Sequence, residues 1–481
     1  MNAAAIALNR FGLGARADDT PPADARRSLL QQFTRFDPRP DVIASVPPRG
    51  ELARQLADYA QESRAERDRR KTSMRNASMP EPGDEQMSEL PDSAKRYLKR
   101  GIREHYLVMN SARLASALST GAPFVERLVH FWANHFAVSA DKLAIVGYSG
   151  LLEFEAIRPH VLGRFADMLV AVEQHPAMLL YLDQAQSLGP SSRAARFGRK
   201  RSLARGLNEN LAREILELHT VGVHAGYAQA DVTEFARALT GWTIGGIARG
   251  RIARLLGDSV PPGNFLFAEI MHEPGDRTIM GRRYAQAGEA QGRAILSDLA
   301  AHPATARHLA TKLARHFAGD VPPPAMVGRL ERAYLESGGD LPTLYRATIE
   351  SPEAWADRPL KFKTPWEWTV SALRGLSVKS LPEKIAAATL KELGQPTWQP
   401  GSPAGWDDIA ASWAGPDALV RRVEVAERIA DKAGPLIDPR AVAGHLLPGS
   451  LGESTRAAIA QAESPQQGLA LLLVSPEFLR R

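Results

Sequence analysis

The 481-residue chain has no cysteine. That absence excludes disulfides, thiolate-ligated zinc and a cysteine nucleophile together. It leaves the redox compartment open, because exported proteins also fold without cysteine. Long apolar runs are missing as well: none reaches the ~18 residues that a membrane span needs. The chain starts MNAAAIALNRFGLGAR, with a short apolar stretch before the polar Asn9-Arg10. A secretory signal needs a charged start and an apolar stretch of about 7–15 residues. The expectation is therefore a cytoplasmic protein, with co-export into the periplasm beside a partner as the alternative. There is no nucleophile elbow, P-loop or Rossmann glycine pattern. Excess charge is small, +6 from 60 basic and 54 acidic residues, and fits weak attraction to polyanions without requiring it.

What is present is helical spacing. Segments 94–118, 122–137, 150–182, 208–221, 229–240, 285–317, 325–337 and 341–350 carry apolar residues three and four apart. Alternating stretches are few. The best is 264–284, where FLF and TIMG flank Pro274-Gly275-Asp276 and predict a β-hairpin. A chain of this length suggests roughly two to four domains, but no linker separates any. The expected fold is all-α: one large helical domain over 1–481, with a small hairpin near 264–284 and irregular insertions. Residues 61–93, rich in charge, Met, Pro and Ser, read as a flexible or disordered insert. Residues 186–206 read as a basic loop, and 355–481 as a C-terminal helical subdomain.

The densest stretch is NENLAREILELHTVGVHAGYAQADVTEFARALTGW, 208–242. At 3.6 residues per turn, Asn210, Arg213, Glu214 and Glu217 fall within an arc of roughly 100°. His219 lies more than ~130° from both glutamates, so Glu-Leu-His cannot chelate one ion from a regular helix. His219 instead reads as a dipole-favoured residue of the last turn, before Gly222. Two readings of Glu214 and Glu217 stand. One is a solvated face with an Arg213–Glu217 ion pair; the other is a buried carboxylate pair serving a metal or a proton transfer. Asp231 and Glu234 sit in the first turn of 229–240, where acids complement the helix dipole.

The 122–137 segment is apolar over most of its circumference, so it should be buried. Its polar stripe of Glu126, Arg127, His130 and Asn134 must then find partners or line a cleft. His135 lies on the apolar side as a hydrogen-bonded core histidine. The candidate site joins these two helices. Glu214, Glu217 and His130 are the candidate catalytic or metal-ligating residues, and Asn134, Asn210, Arg213 and Asp231 are the candidate binding residues. An oxygen-rich set of this kind suits a divalent cation. Trp366, Trp368, Trp398, Trp406 and Trp413 are expected in a core or an interface. His272 is expected as a turn residue, and His302, His308 and His316 show no partner pattern. The basic run Arg193, Arg196, Arg199, Lys200, Arg201 and Arg205 reads as a solvated loop, so nucleic acid is not an expected partner.

Several of these stretches together carry a resemblance. LVHFWANHFAVS (128–139), PAMLLYLD (176–183), GLNENLAREILELHTVGV (206–223) and YAQADVTEFARALTGW (227–242) occur in order. FLFAEIMHEPGDRTIMG (265–281), KFKTPWEWTVSALRGL (361–376), GQPTWQPGSPAGWDD (394–408) and SPEFLRR (475–481) follow. The chain resembles the bacterial family called domain of unknown function 1800, over nearly its whole length. It departs from the family pattern at Ala228, often a capping Thr, and at His224, often Asp. The resemblance implies a mostly helical bacterial protein and brings no settled activity. Many relatives look exported, often with a twin-arginine-type signal. They commonly occur beside a second family, domain of unknown function 1501, which resembles sulfatases and alkaline phosphatases. The expected function is therefore that of an accessory or assembly partner of such a phosphatase- or sulfatase-like protein. The alternative is a metal-dependent or carboxylate-based hydrolase using the polar face of 208–221.

Overall fold

The computed structural model describes residues 2–76, 91–198, 206–223, 225–246, 260–359, 361–435 and 437–481. Among the described residues helices dominate, as the spacing predicts, and strands are confined to two small antiparallel sheets. Among the described residues, no helix is long and apolar enough to cross a membrane.

Proline sets many of the breaks. The expected 285–317 helix is two helices, Glu289–Ala301 and Pro303–Ala318. Pro303 has no N–H to continue the ladder and drives the preceding residue extended; His302 has ψ 137°. The His302 ring accepts from the Ala304 amide at 3.1 Å and caps the new helix. The expected 150–182 helix is likewise divided. Its later turns are Phe165–Glu173 and Pro176–Tyr181, the second opening on Pro176.

The helix Pro123–His135 forms the centre of the main core. Pro123 occupies the first turn, where its missing N–H costs no bond. Phe124, Val125, Leu128, Val129 and Trp132 are fully buried. The helix Pro303–Ala318 adds Leu309, Leu313 and Phe317 to the same cluster. The helix Pro365–Gly375 opens on a reciprocal cap. The Thr364 hydroxyl accepts from the Glu367 amide at 3.2 Å, and Glu367 Oε2 accepts from the Thr364 amide at 2.9 Å. Its faces feed two smaller clusters: Trp366, Val370 and Leu373 pack with Leu114 and Leu118, whereas Trp368 and Ala372 pack with Leu446, Leu472 and Phe478.

The hairpin is paired differently from the expectation. Arg277–Ile279 pairs with Arg282–Tyr284, while Phe265–Phe267 pairs with Trp242–Ile244. Thus FLF does not fold across the Pro274 turn onto TIMG. Trp242 follows a helix that ends at Leu239, and this places a buried aromatic strand beside FLF. Of the insert expected over 61–93, residues 61–76 continue the helix Arg49–Asn76, and residues 77–90 lie outside the described residues. In the basic loop, Arg193–Gly198 is a short helix; Arg199, Lys200, Arg201 and Arg205 lie outside the described residues, as does His224.

Candidate functional site

A cavity of about 330 Å³ opens between the helices Pro123–His135 and Pro303–Ala318. The start of Pro365–Gly375 closes one side with Trp366 and Glu367, and the 395–408 loop closes another with Trp398, Trp406 and Asp408. Asn134 ties this loop in place. Its Oδ1 accepts from the Trp406 amide at 2.7 Å, and its Nδ2 donates to the Trp406 carbonyl at 2.8 Å. The backbone comes so close that a Cβ on Gly405 would lie 2.3 Å from the Asn134 carbonyl oxygen. Gly405 also has φ 79°, the left-handed region that glycine adopts without strain.

The acids of the cavity are already engaged. Glu367 is held between the guanidinium groups of Arg127 and Arg481, the latter 2.8 Å away. Those two charges outweigh burial and hold its carboxyl at about 2. Asp408 meets His316 Nδ1 at 2.7 Å and Lys361 Nζ at 3.1 Å. Burial opposes its ionisation, but His316, Lys361 and Arg481 prevail and hold it far below the usual carboxylate range. Asp407 accepts from the Ser412 hydroxyl at 2.8 Å.

An ionised Asp408 can only accept, so the Nδ1 proton belongs to His316. His316 Nε2 is then the lone-pair nitrogen, and it is buried without a partner among the described residues. Burial, with Arg481 and Arg127 nearby, lowers the imidazole to about 4 despite Asp408. His316 is therefore neutral near pH 7 and oriented by a carboxylate, which is the arrangement of a general base. His130 has the opposite polarity. Its Nδ1 accepts from the Trp366 indole N–H at 3.1 Å, so a neutral ring carries its proton on Nε2. That Nε2 is buried and makes no hydrogen bond among the described residues, 3.7 Å from Glu126. Burial first, then Arg113, Arg158 and Arg127, keep His130 neutral.

Two cations complete the lining. Lys312 Nζ donates to His135 Nδ1 at 2.9 Å. His135 can accept because its Nε2–H is committed to the His219 carbonyl at 3.1 Å. Burial lowers Lys312 to about 8; Asp408 opposes this and Arg315 adds to it. Arg315 lies three residues on, on the same helix. Among the described residues neither cation has a carboxylate in ion-pair range, and Arg315 Nε is buried and unbonded. Arg113 is different: it pairs with buried Glu153 at 2.8 Å and lies 4.2 Å from the centre of the Trp366 ring.

Of the residues expected at the site, His130 and Asn134 line this cavity, but Glu214, Glu217, Asn210, Arg213 and Asp231 do not. Arg213 reaches Glu217 at 3.6 Å and also contacts Glu209 and Gln229. Glu214 is half-buried, and its carboxyl is raised by burial against the charge of His219. Asn210 is exposed. Asp231 joins its helix to the hairpin, accepting from the amides of Ala228 and Met280 at 2.7 Å each. Among the described residues, no group of three His, Asp or Glu is disposed to hold a metal ion.

The two expected helices do meet, through His135 and Phe136 against His219 rather than through Glu214 or Glu217. The helix Asn210–Glu214 passes into a widened turn, Ile215–His219, whose last carbonyls receive His308 and His135. His219 is more than a helix-end residue: its Nδ1 meets Glu173 at 2.8 Å, with both side chains fully buried. Trp366, Trp398 and Trp406 line the cavity as well as packing. His308 and His316, which show no partner pattern in the sequence, line it too. The signal that could have found them is the polar stripe His308, Lys312, Arg315 and His316, spaced three and four apart on a helix whose other face is apolar.

Fold and site together define a mostly helical protein with a cavity lined by two cations that have no carboxylate in ion-pair range among the described residues, and by an Asp-oriented histidine. The chain belongs to the family described as protein of unknown function (DUF1800), whose model matches residues 6–480. No curated protein and no solved structure matches it significantly.

Proposed function

We propose that the cavity binds a small anionic substrate and transfers a proton to or from it. The observation behind this is one arrangement on the helix Pro303–Ala318. An unpartnered His316 Nε2 lies beside Lys312 and Arg315, two cations that meet no carboxylate among the described residues. The planar fork of Arg315 suits a carboxylate, sulfate or phosphate. Lys312 adds a compact second charge. His316 serves as the base, with Asp408 fixing its tautomer, and His130 lines the same cavity. A positioned base of this kind contributes typically ~10²–10⁴-fold to rate. Acid–base chemistry thus moves from the polar face of 208–221 to the faces of 123–135 and 303–318.

Calorimetric titration with phosphate, sulfate and citrate tests this. Saturable binding at pH 7 is expected, lost in Arg315→Met and kept in Glu214→Gln. Binding that is absent, or indifferent to Arg315→Met, overturns it.

An assembly role beside a phosphatase- or sulfatase-like partner is the second reading. Val420 and Val423 favour it, being exposed three residues apart on the helix Pro416–Ala433. A partner acting on sulfate or phosphate esters would also handle ligands of the charge this cavity suits. Co-purification with such a partner, lost in Val420→Asp, supports it; no complex with the unaltered chain removes it.

A further inference from the structure

The strongest unexplained group is Lys312. Most cations around the cavity are neutralised by an acid: Arg127 and Arg481 by Glu367, Lys361 by Asp320 and Asp408, and Arg113 by Glu153. Lys312 has an imidazole instead. Among the described residues the charged or titratable groups facing it are His135 from Pro123–His135, His308 and Arg315 from its own helix, and Asp408 from the loop. Burial of the ammonium with a nearby like charge is how proteins make a lysine nucleophilic.

We propose that Lys312 condenses with the carbonyl group of an oxo acid whose carboxylate is held by Arg315. This rests on the anion-binding reading above and names its substrate class. The neutral amine adds to the carbonyl carbon and forms a C–N bond. The carbinolamine C–O bond then breaks, and the oxygen leaves as water carrying both amine protons. The product is an imine, so the step needs no oxidant or reductant. His135 Nδ1 accepts from Nζ and aims it, without adding a negative charge that would keep the ammonium protonated. The imine then draws electrons from the adjacent carbon, where His316 can act as base. A lysine near 8 has far more free amine at neutral pH than one near 10.5, which fits this role.

The test is reductive trapping on the whole protein. The chain is incubated with glyoxylate and cyanoborohydride at pH 8, digested, and each lysine is read by mass. Lys379, Lys384 and Lys391 are exposed and serve as internal references. Lys312 should label about tenfold faster than these, as expected when a larger amine fraction is offset by lower intrinsic nucleophilicity. Phosphate should protect it, and Arg315→Met should slow labelling by glyoxylate but not by the uncharged propionaldehyde. Lys312 labelling no faster than the references, while phosphate still binds, overturns the imine and leaves the anion site standing. Fast labelling by both aldehydes without phosphate protection overturns the oxo-acid class and the anion site together. Because the unaltered chain supplies the main readout, a variant that fails to fold does not confuse the result.

Discussion

His316 donates its Nδ1–H to Asp408 Oδ2 at 2.7 Å, and its other nitrogen meets no hydrogen-bond partner among the described residues. A buried unpaired polar atom is costly unless a ligand or water satisfies it. The tautomer is set by the aspartate, and the aspartate is in turn held ionised by Lys361. Asp408→Asn keeps the shape but weakens both contacts. It should cost about 1–3 kcal/mol of stability, as for a weakened buried hydrogen-bond network. It should also lower any turnover by ~10²-fold or more, as for a misoriented base. Urea unfolding and a rate measurement on the same preparation separate the two effects.

The acid limb of the stability curve follows from His316 and Glu367. The folded His316 titrates near 4, below the ordinary 6.5. The unfolded chain therefore takes the proton first, and stability is full above pH 6.5 and falls as pH drops from 6.5 toward 4. Glu367 falls from 4.5 to about 2 on folding, so its contribution is full above pH 4.5 and is lost between 4.5 and 2. His316→Gln should flatten part of the upper window and leave the lower one. A urea midpoint that does not move between pH 7 and 4 would contradict this.

Removing Glu367 is the harsher change. Glu367→Ala leaves the buried Arg127 and Arg481 without their shared carboxylate. Breaking such a pair from one side costs roughly 3–5 kcal/mol, so the variant should melt well below the unaltered protein. Unchanged melting would mean that water already reaches these arginines.

Asn134→Ala cuts both bonds to the Trp406 backbone while its Cβ stays in place. A stability loss of about 1–3 kcal/mol is expected, with a red-shifted tryptophan emission and weaker anion binding as the loop loosens. Normal binding in this variant would mean that the loop needs no such tie.

Glu217→Gln should do little. It removes the 3.6 Å contact with Arg213, a half-exposed pair, and such pairs contribute about 0–1 kcal/mol. Anion binding and melting should both stay near those of the unaltered chain. A large loss of binding would return the site to the 208–221 helix.

Much of the fold was legible because helix burial repeats at 3.6 residues, and Trp132, Leu128 and Phe124 announce a buried helix with one polar stripe. That stripe also pointed to part of the cavity lining, since His130 and Asn134 had to face something polar. The rest was hidden by distance along the chain. Asp408 and Trp406 sit in an irregular loop, and nothing local to them shows that they meet His316 or Asn134. Glu214 and Glu217 lie outside this cavity; helix geometry shows which residues share a face but not which face is covered. The hairpin shows the same limit: FLF has strand character, but its partner, Trp242–Ile244, lies on the far side of 247–259.

The most direct measurement is a crystal soaked in selenate or tungstate, with the anion located by its anomalous signal. The account predicts one site in the cavity, within hydrogen-bond reach of Lys312 Nζ and the Arg315 guanidinium, that disappears in Arg315→Met. An anion found only on surface arginines such as Arg193 or Arg196, with the cavity holding water alone, would contradict it.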